Sequence, residues 1–451
     1  MMEELYSTGS RRLAARRIFD AALAAVEPAH AVRSAVREVD GQLLVAGQTI
    51  DRSKKIYGVA FGKAAFVMAQ GLERALGSSL ISGIAVGPEE ASSEGAGKAQ
   101  TDLSPKWRFL HGGHPLPDYA SRHAGRAVID FLRLMDATDA VIIFLISGGG
   151  SALMEWPIDP RISEDDTCDL YQLLLHSGAP IHEMNVVRRA FSSIKGGGLL
   201  RFASKAQKLG LIVSDTNTGD EAAVSSGPTF VPISPESSAL EILRRYGWLD
   251  QLPPILREFA AAETVAEPRP QRPVHHQVLL DNGTALAAAA EEARRLGFRV
   301  ELAPDICEQE IAAGCPLLVE RFGSFSAREP ICFLSGGEFG CRVHGKGIGG
   351  RNAETALRLV QLYAELDPRS RGLFTILCAG TDGIDGNSPA AGAIIDESSI
   401  DRADRAGLNA EEFLARSDSH TYFSKLTDVV MTGPTGTNVR DLRILLAVPS
   451  R

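Results

Sequence analysis

The segment Val141-Ile142-Ile143-Phe144-Leu145-Ile146 is apolar throughout, rich in β-branched residues, and runs directly into Ser147-Gly148-Gly149-Gly150-Ser151-Ala152-Leu153. Such a run is too short to span a bilayer and reads as an interior strand of a parallel sheet, covered on both faces. That constrains ligands as well as fold, because open α/β sheets bind them outside the carboxyl ends of their strands. Glycines at that point let the backbone turn sharply and bring its N–H groups against an anion. A tight strand-to-helix turn would use the same three glycines, and the chain has 44.

Strand and helix signals alternate around this segment. Ile56 to Phe61 reads as a strand, followed by a helix opened by Gly62-Lys63 and running to about Leu76. Gly210 to Val213 is a further strand, with the polar loop Ser214-Asp215-Thr216-Asn217-Thr218-Gly219-Asp220-Glu221 at its carboxyl end. The pattern predicts a doubly wound parallel α/β sheet. Between Ala262 and Val274 the composition shifts to ETVAEPRPQRP, a linker or surface excursion. A second βαβ pattern follows, with His276 to Leu280, an alanine-rich helix to about Leu296, and Phe298 to Leu302. Ile331-Cys332-Phe333-Leu334-Ser335-Gly336-Gly337-Glu338 then echoes the opening segment.

With 451 residues, 44% of them hydrophobic, the chain can bury large cores in two or three domains. A net charge of -9 argues against a nucleic-acid or anionic-membrane platform. No stretch approaches the ~20 apolar residues of a membrane span. Six cysteines scattered without CxxC or Cys/His spacing suit reduced thiols in a cytosol and offer no zinc site. Arg11, Arg12, Arg16 and Arg17 read as part of a first amphipathic helix rather than a transit peptide, because Glu3, Glu4 and Asp20 are interspersed.

Several stretches carry chemistry. Met184 to Lys195 has helical period, with Asn185, Arg188, Ser192 and Lys195 on one polar stripe and Gly196-Gly197-Gly198 as the stop; it reads as a half-buried helix or as an anion site. Gly345-Lys346-Gly347-Ile348-Gly349-Gly350 fits GxGxxG, but Glu338 to His344 alternate like an edge hairpin, so the context of a dinucleotide fold is missing. Arg351 then opens a helix beside glycine-rich backbone, which suits a phosphoryl group or carboxylate. Asp382 and Asp385 follow the strand Phe374 to Leu377 and match Asp215 and Asp220 of the first half. Loop carboxylates with room for water and phosphate are what Mg²⁺ requires, although Asp-Gly pairs also form plain turns. His111, His114 and His182 are available as bases. There is no P-loop, protein-kinase signature or GxSxG elbow.

The motifs GKAAFVMA, GGHPLPDYAS, LISGGGSAL, MNVVRRAFSSIKGGGLL, SSGPT, LSGGE, GKGIGGRNAE, AGTDGIDGNSPAAGAIID and TGPTGTNVRDL, in this order over nearly the whole chain, resemble the glycerate 2-kinase family. The resemblance implies a Rossmann-like doubly wound N-terminal α/β domain, 1–245, and a smaller α/β C-terminal domain of MOFRL type, 246–451, the last ~25 residues being able to pack back on the first. It implies ATP- and Mg²⁺-dependent phosphorylation of D-glycerate to 2-phosphoglycerate in a cleft between two domains, by a cytoplasmic monomer or homodimer. Lys63 and Arg351 match the family's catalytic lysine and arginine. The residues add a phosphate cradle of Ser147, Gly148, Gly149, Gly150, Ser151, Lys195, Gly196 and Gly197, and metal ligands Asp215, Asp220, Asp382 and Asp385. The family's SDVPGDD loop reads Ser214 to Glu221 here, its Asn-Gln-Glu reads Asn352-Ala353-Glu354, and its NDS-Tyr reads Ser417-Asp418-Ser419-His420. These departures bear on the sugar acid more than on the chemistry. A kinase for a larger sugar acid, an NAD(P)H-dependent hydroxypyruvate reductase and a non-catalytic binding protein are the alternatives.

Overall fold

The strand expected at 141–146 extends over Ala140–Ser147 with every residue buried. It lies in the middle of a six-stranded sheet. The computed structural model of the chain describes residues 7–89, 105–231, 237–261, 274–323, 329–366 and 372–449, so most of the 262–274 excursion lies outside the described residues. The sheet comprises β1 (Lys55–Phe61), β2 (Leu80–Gly87), β3 (Trp107–His111), β4 (Ala140–Ser147), β5 (Gln207–Val213) and β6 (His275–Leu280), in the order β3-β2-β1-β4-β5-β6. Neighbouring pairs from β3 through β5 are parallel. The helix Ala65–Leu76 packs against β1 and β2, and Tyr119–Met135 packs against β2 and β3. Val59, Phe61, Phe144, Ile146, Val128 and Leu132 share one apolar cluster. Each such side chain contributes roughly 1.5–3 kcal/mol when fully buried.

This strand order confirms the doubly wound expectation and locates its consequence. The chain moves outward from β1 to β3, then returns to place β4 on the other side of β1. The connections therefore diverge between the carboxyl ends of β1 and β4, which opens a crevice there. Gly62, with φ +113°, turns the chain out of β1, and a side chain at this position would collide with the Ser147 carbonyl at 2.3 Å.

A second compact unit is formed by residues 280–451 together with 1–27, while residues 28–279 form the first. This division differs from the expected 245/246 boundary. Helices Ala239–Arg245 and Pro254–Ala261, on either side of that point, contribute Leu240, Leu243, Leu256 and Ala260 to one apolar cluster. The second sheet has β7 (Arg299–Leu302), β8 (Ile331–Gly337), β9 (Leu373–Gly380), β10 (Gly392–Asp396), β11 (Val429–Val430) and β12 (Asp441–Val448), in the order β7-β8-β12-β9-β10-β11. β12 runs antiparallel to both β8 and β9. The closing segment thus forms an inner strand of its own unit. The first helix, Thr8–Ala25, buries Ile18 and Phe19 and packs against the helix Asn282–Arg295. Arg11 pairs with Glu397, and Arg12 with Asp396 and Asp428, which fasten that helix to the unit.

Candidate active site

In the 28–279 unit, the ends of β1 and β4 are joined by a Lys63 N–H donated to the Gly148 carbonyl at 2.8 Å. The Ser147 hydroxyl accepts from the Ala64 amide at 3.0 Å, and its carbonyl accepts from the Ser225 hydroxyl at 2.6 Å. The amides of Gly148, Gly149 and Gly150 donate to no backbone carbonyl among the described residues. A methyl group at Gly149 would lie 3.1 Å from Lys63 Cγ and 3.3 Å from His114 Cδ2, and one at Gly148 would overlap Asp215 Oδ2. Lys63, His114 and Asp215 therefore converge on bare glycine backbone at the switch point. That arrangement combines N–H donors, a cation and a hard oxygen ligand, which is what binding a metal-bound phosphate requires.

The loop is braced from behind. The Ser151 hydroxyl shares a 2.9 Å hydrogen bond with the Ser226 hydroxyl, and Ser226 donates to Asn185 Oδ1 at 2.8 Å. Tyr171 OH donates to the Ser151 carbonyl at 2.8 Å. Ser225 and Ser226 hold φ of +53° and +62°, a left-handed conformation costing about 1–3 kcal/mol each. Strain of that kind next to a ligand loop fits a site fixed at the expense of stability.

The second glycine run behaves differently. The helix Ile181–Ala190 ends before Lys195, so the expected polar stripe keeps only Asn185 and Arg188 on it. Ser192 instead pairs with Pro157 in an antiparallel bridge, and Ser193 N–H donates to the Trp156 carbonyl at 2.8 Å. Gly196 N–H donates to the Ser226 carbonyl at 3.1 Å, and Gly197 N–H to the Gly227 carbonyl at 2.8 Å. Lys195 forms a buried ion pair with Glu155, their side chains 1% and 6% exposed. Burial would pull the Lys195 pKa down, but the Glu155 carboxylate and the Tyr171 hydroxyl outweigh it and raise it. The amides of Gly196 and Gly197 and the Lys195 ammonium are thus used within the fold.

The four expected metal carboxylates also separate by role. Asp215 lies against Gly148, whereas Asp220 is exposed at the start of the Glu221–Ser226 turn. Among the described residues, no three His, Cys, Asp or Glu side chains gather as a metal cluster. In the other unit Asp385 is buried, and its carboxylate accepts from the Asn352 and Ala353 amides at 2.9 and 2.8 Å. It holds the start of the helix Arg351–Glu365, and burial pushes its carboxyl up to about 7 against the pull of those amides.

At the carboxyl edge of β8 and β9, Arg351 donates from Nε to Asp441 at 2.6 Å and pairs through Nη2 with Glu338 at 2.6 Å. Burial would lower its pKa, and the two carboxylates raise it instead. Asp441 faces Gly337 on one side and Gly380 on the other, and a methyl at Gly380 would lie 3.1 Å from Asp382 Oδ1. Arg443, fully buried under the Phe339 ring at 3.9 Å, donates to the carbonyls of Gly336 and Ile306 and holds the β8 loop. The edge hairpin expected over Glu338 to His344 is a loop with one bridge residue, Gly340, because β12 occupies the edge on which β8 would have folded back.

Asp441, Arg443, Glu155, Ser225 and Ser226 are not singled out by residue type and spacing. The motif TGPTGTNVRDL contains Asp441 and the motif SSGPT contains Ser225 and Ser226; Glu155 and Arg443 act through partners distant in sequence.

Family models match in both halves: "Domain of unknown function (DUF4147)" over residues 14–261 and the MOFRL family over 331–441. The chain is 32% identical to a glycerate kinase of Danio rerio, with 97% of each chain covered. It is also 32% identical to a glycerate 2-kinase of Pyrococcus horikoshii, covering 96% of this chain and 97% of that one. A crystal structure of a glycerate kinase from Thermotoga maritima superposes with a TM-score of 0.77 at 28% identity, covering 98% of this chain and 100% of that one.

Proposed function

The chain belongs to the glycerate 2-kinase family, and on that premise we propose that it transfers the γ-phosphoryl group of ATP to the 2-hydroxyl of D-glycerate. The glycerate oxygen bonds to the γ-phosphorus, the bond from that phosphorus to the bridging oxygen breaks, and the hydroxyl proton is released. ADP and 2-phosphoglycerate leave. The observation that carries this reading is the convergence of Lys63 and Asp215 on the bare amides of Gly148 to Gly150.

Phosphoryl transfer needs in-line positioning and charge neutralisation more than covalent chemistry. The amides from Gly148 to Ser151 hold phosphate oxygens, with Ser147 fixing the turn. Lys63 neutralises charge that develops on the transferred group. Arg351 binds an anionic group of the substrate, with Asp441 holding its Nε and Glu338 its Nη2. Asp215 would hold a Mg²⁺ ion, which would supply positive charge to offset that of the phosphates. A single loop carboxylate beside a phosphate cradle fits an ion that takes one or two protein oxygens and keeps water and phosphate for the rest. Asp215 is the first candidate, with Asp220 and Asp382 as further ones. Among the described residues no helix is long and apolar enough to cross a membrane. The reaction is that of a cytoplasmic monomer or homodimer acting on small molecules.

ADP release from ATP with D-glycerate, with and without Mg²⁺, tests the reading. Metal-dependent release is expected with the wild type, falling by about 10²–10³-fold in Lys63→Ala with an unchanged melting temperature. Near-normal turnover in that variant would remove the role given to Lys63. Absence of release alongside NADH oxidation by hydroxypyruvate would overturn the reaction itself.

A further inference from the structure

Four arginines are buried among the described residues: Arg11, Arg188, Arg440 and Arg443. Arg11 pairs with Glu397, Arg440 pairs with Glu308, and Arg443 donates to the carbonyls of Gly336 and Ile306. Arg188, on the helix Ile181–Ala190 and 8% exposed, is held differently. Its Cζ lies 5.0 Å from the centroid of the Tyr171 ring. Its Nη1 stands 3.4 Å from Asn185 Oδ1, long for a charge-assisted hydrogen bond, and that oxygen already accepts from the Ser226 hydroxyl at 2.8 Å. Arg188 Nε is buried with no hydrogen-bond partner, and no carboxylate pairs with this guanidinium among the described residues.

A guanidinium cannot shed its proton in a protein, so burial leaves Arg188 charged. A buried charge is tolerated where a counter-charge and hydrogen bonds meet it. The neighbouring ion pair does not supply them, because Lys195 and Glu155 neutralise one another and leave Arg188 as the surplus cation. Its position gives that surplus a use. Tyr171, on whose ring Arg188 rests, donates its hydroxyl to the Ser151 carbonyl at 2.8 Å. Asn185 leads to the same residue through Ser226, whose hydroxyl shares a 2.9 Å hydrogen bond with that of Ser151. Ser151 directly follows the three glycines and is partly exposed. Resting over the aromatic ring holds the guanidinium in place, and its Nε edge keeps donors for a planar oxyanion.

We propose that Arg188 is an anion-binding residue of the glycine-loop crevice, and that its missing counter-charge is an oxyanion of a substrate, carboxylate or phosphate, received beside residue 151. The inference rests on reading the glycine loop as the phosphate site and adds a binding residue to it. A ligand-binding arginine and a structural one respond differently to removal. Taking one partner from a buried ion pair strands the other and destabilises the fold. Taking away a surplus cation strands nothing, so Arg188→Met is expected to keep or raise the melting temperature of the ligand-free protein while it weakens anion binding.

Tripolyphosphate and D-glycerate, titrated separately into the full-length protein by calorimetry, test the proposal. At least one of them is expected to bind about tenfold or more weakly to Arg188→Met than to the wild type, and the larger loss identifies the group received as phosphate or carboxylate. Arg188→Lys, which keeps the charge and removes the fork, is expected to fall between the two. Equal affinity of wild type and Arg188→Met for both anions, or binding of neither anion by the wild type, would overturn the proposal. A ligand-free melting temperature several degrees lower in Arg188→Met would also overturn it, since the guanidinium would then serve the fold. Arg188-dependent binding in a protein that forms no phosphorylated acid would uphold this inference and remove the proposed reaction alone.

Discussion

Lys63 lies beside Gly149 and Lys195 precedes Gly196, but the two stand in different surroundings. Lys195 is enclosed with Glu155, so removing it strands a buried carboxylate, a loss that costs about 3–5 kcal/mol. Lys195→Ala should therefore lower the denaturant midpoint markedly, and Lys195→Met/Glu155→Leu should recover much of the loss. A Lys195→Ala protein with wild-type stability and selectively lost turnover would return that ammonium to the phosphate. His276 supplies a second residue-level test. It stacks on Phe230 at 3.8 Å and shares a 2.8 Å hydrogen bond with Thr229, and burial followed by the neighbouring His275 lowers its pKa from 6.5 to about 4. Between those values the unfolded chain binds a proton that the folded chain refuses. Stability should thus fall by up to about 1.4 kcal/mol per pH unit as pH drops from about 6.5 to 4. Thermal melts of the wild type and His276→Phe across that range should diverge in slope; parallel curves would refute the assignment.

At the scale of elements, the glycine turn after β4 is where local sequence and tertiary contact agree. Gly148 is required less for its own torsions than for what stands beside it, because a Cβ there would overlap the Asp215 carboxylate. Gly148→Ala should displace that side chain, destabilise the fold by about 1–3 kcal/mol and reduce turnover. Placing the same change in an Asp215→Ala background should relieve the stability loss, a coupling that a double-mutant cycle measures. Additive effects would mean that the two do not touch. β4 and its turn were legible because an apolar β-branched run followed by glycines is a local signal. The early end of the Ile181–Ala190 helix was not, since the Pro157 and Ser192 bridge that stops it joins residues 35 positions apart. The cap that Asp385 places on the helix start is illegible for the same reason: an Asp-Gly loop looks like a metal loop or turn until Asn352 and Ala353 are beside it.

For the whole molecule, alternation of strands and helices carried the doubly wound sheet, and ordered motifs carried the family. The sequence pattern did not reveal that the first helix joins the C-terminal unit, because amphipathic periodicity says that a face is buried without saying against what. Nor did it reveal β12 as an inner strand, whose antiparallel pairing with both β8 and β9 brings Asp441 to the edge that holds Arg351. Under the proposed function one hydroxyl of the acid is phosphorylated. Phosphorus NMR of the product formed from ATP and D-glycerate tests that most directly. A single new phosphomonoester on the 2-oxygen, formed in equal amount with ADP, is expected; a 3-phospho product, or ADP formed without any phosphorylated acid, would contradict the proposed function.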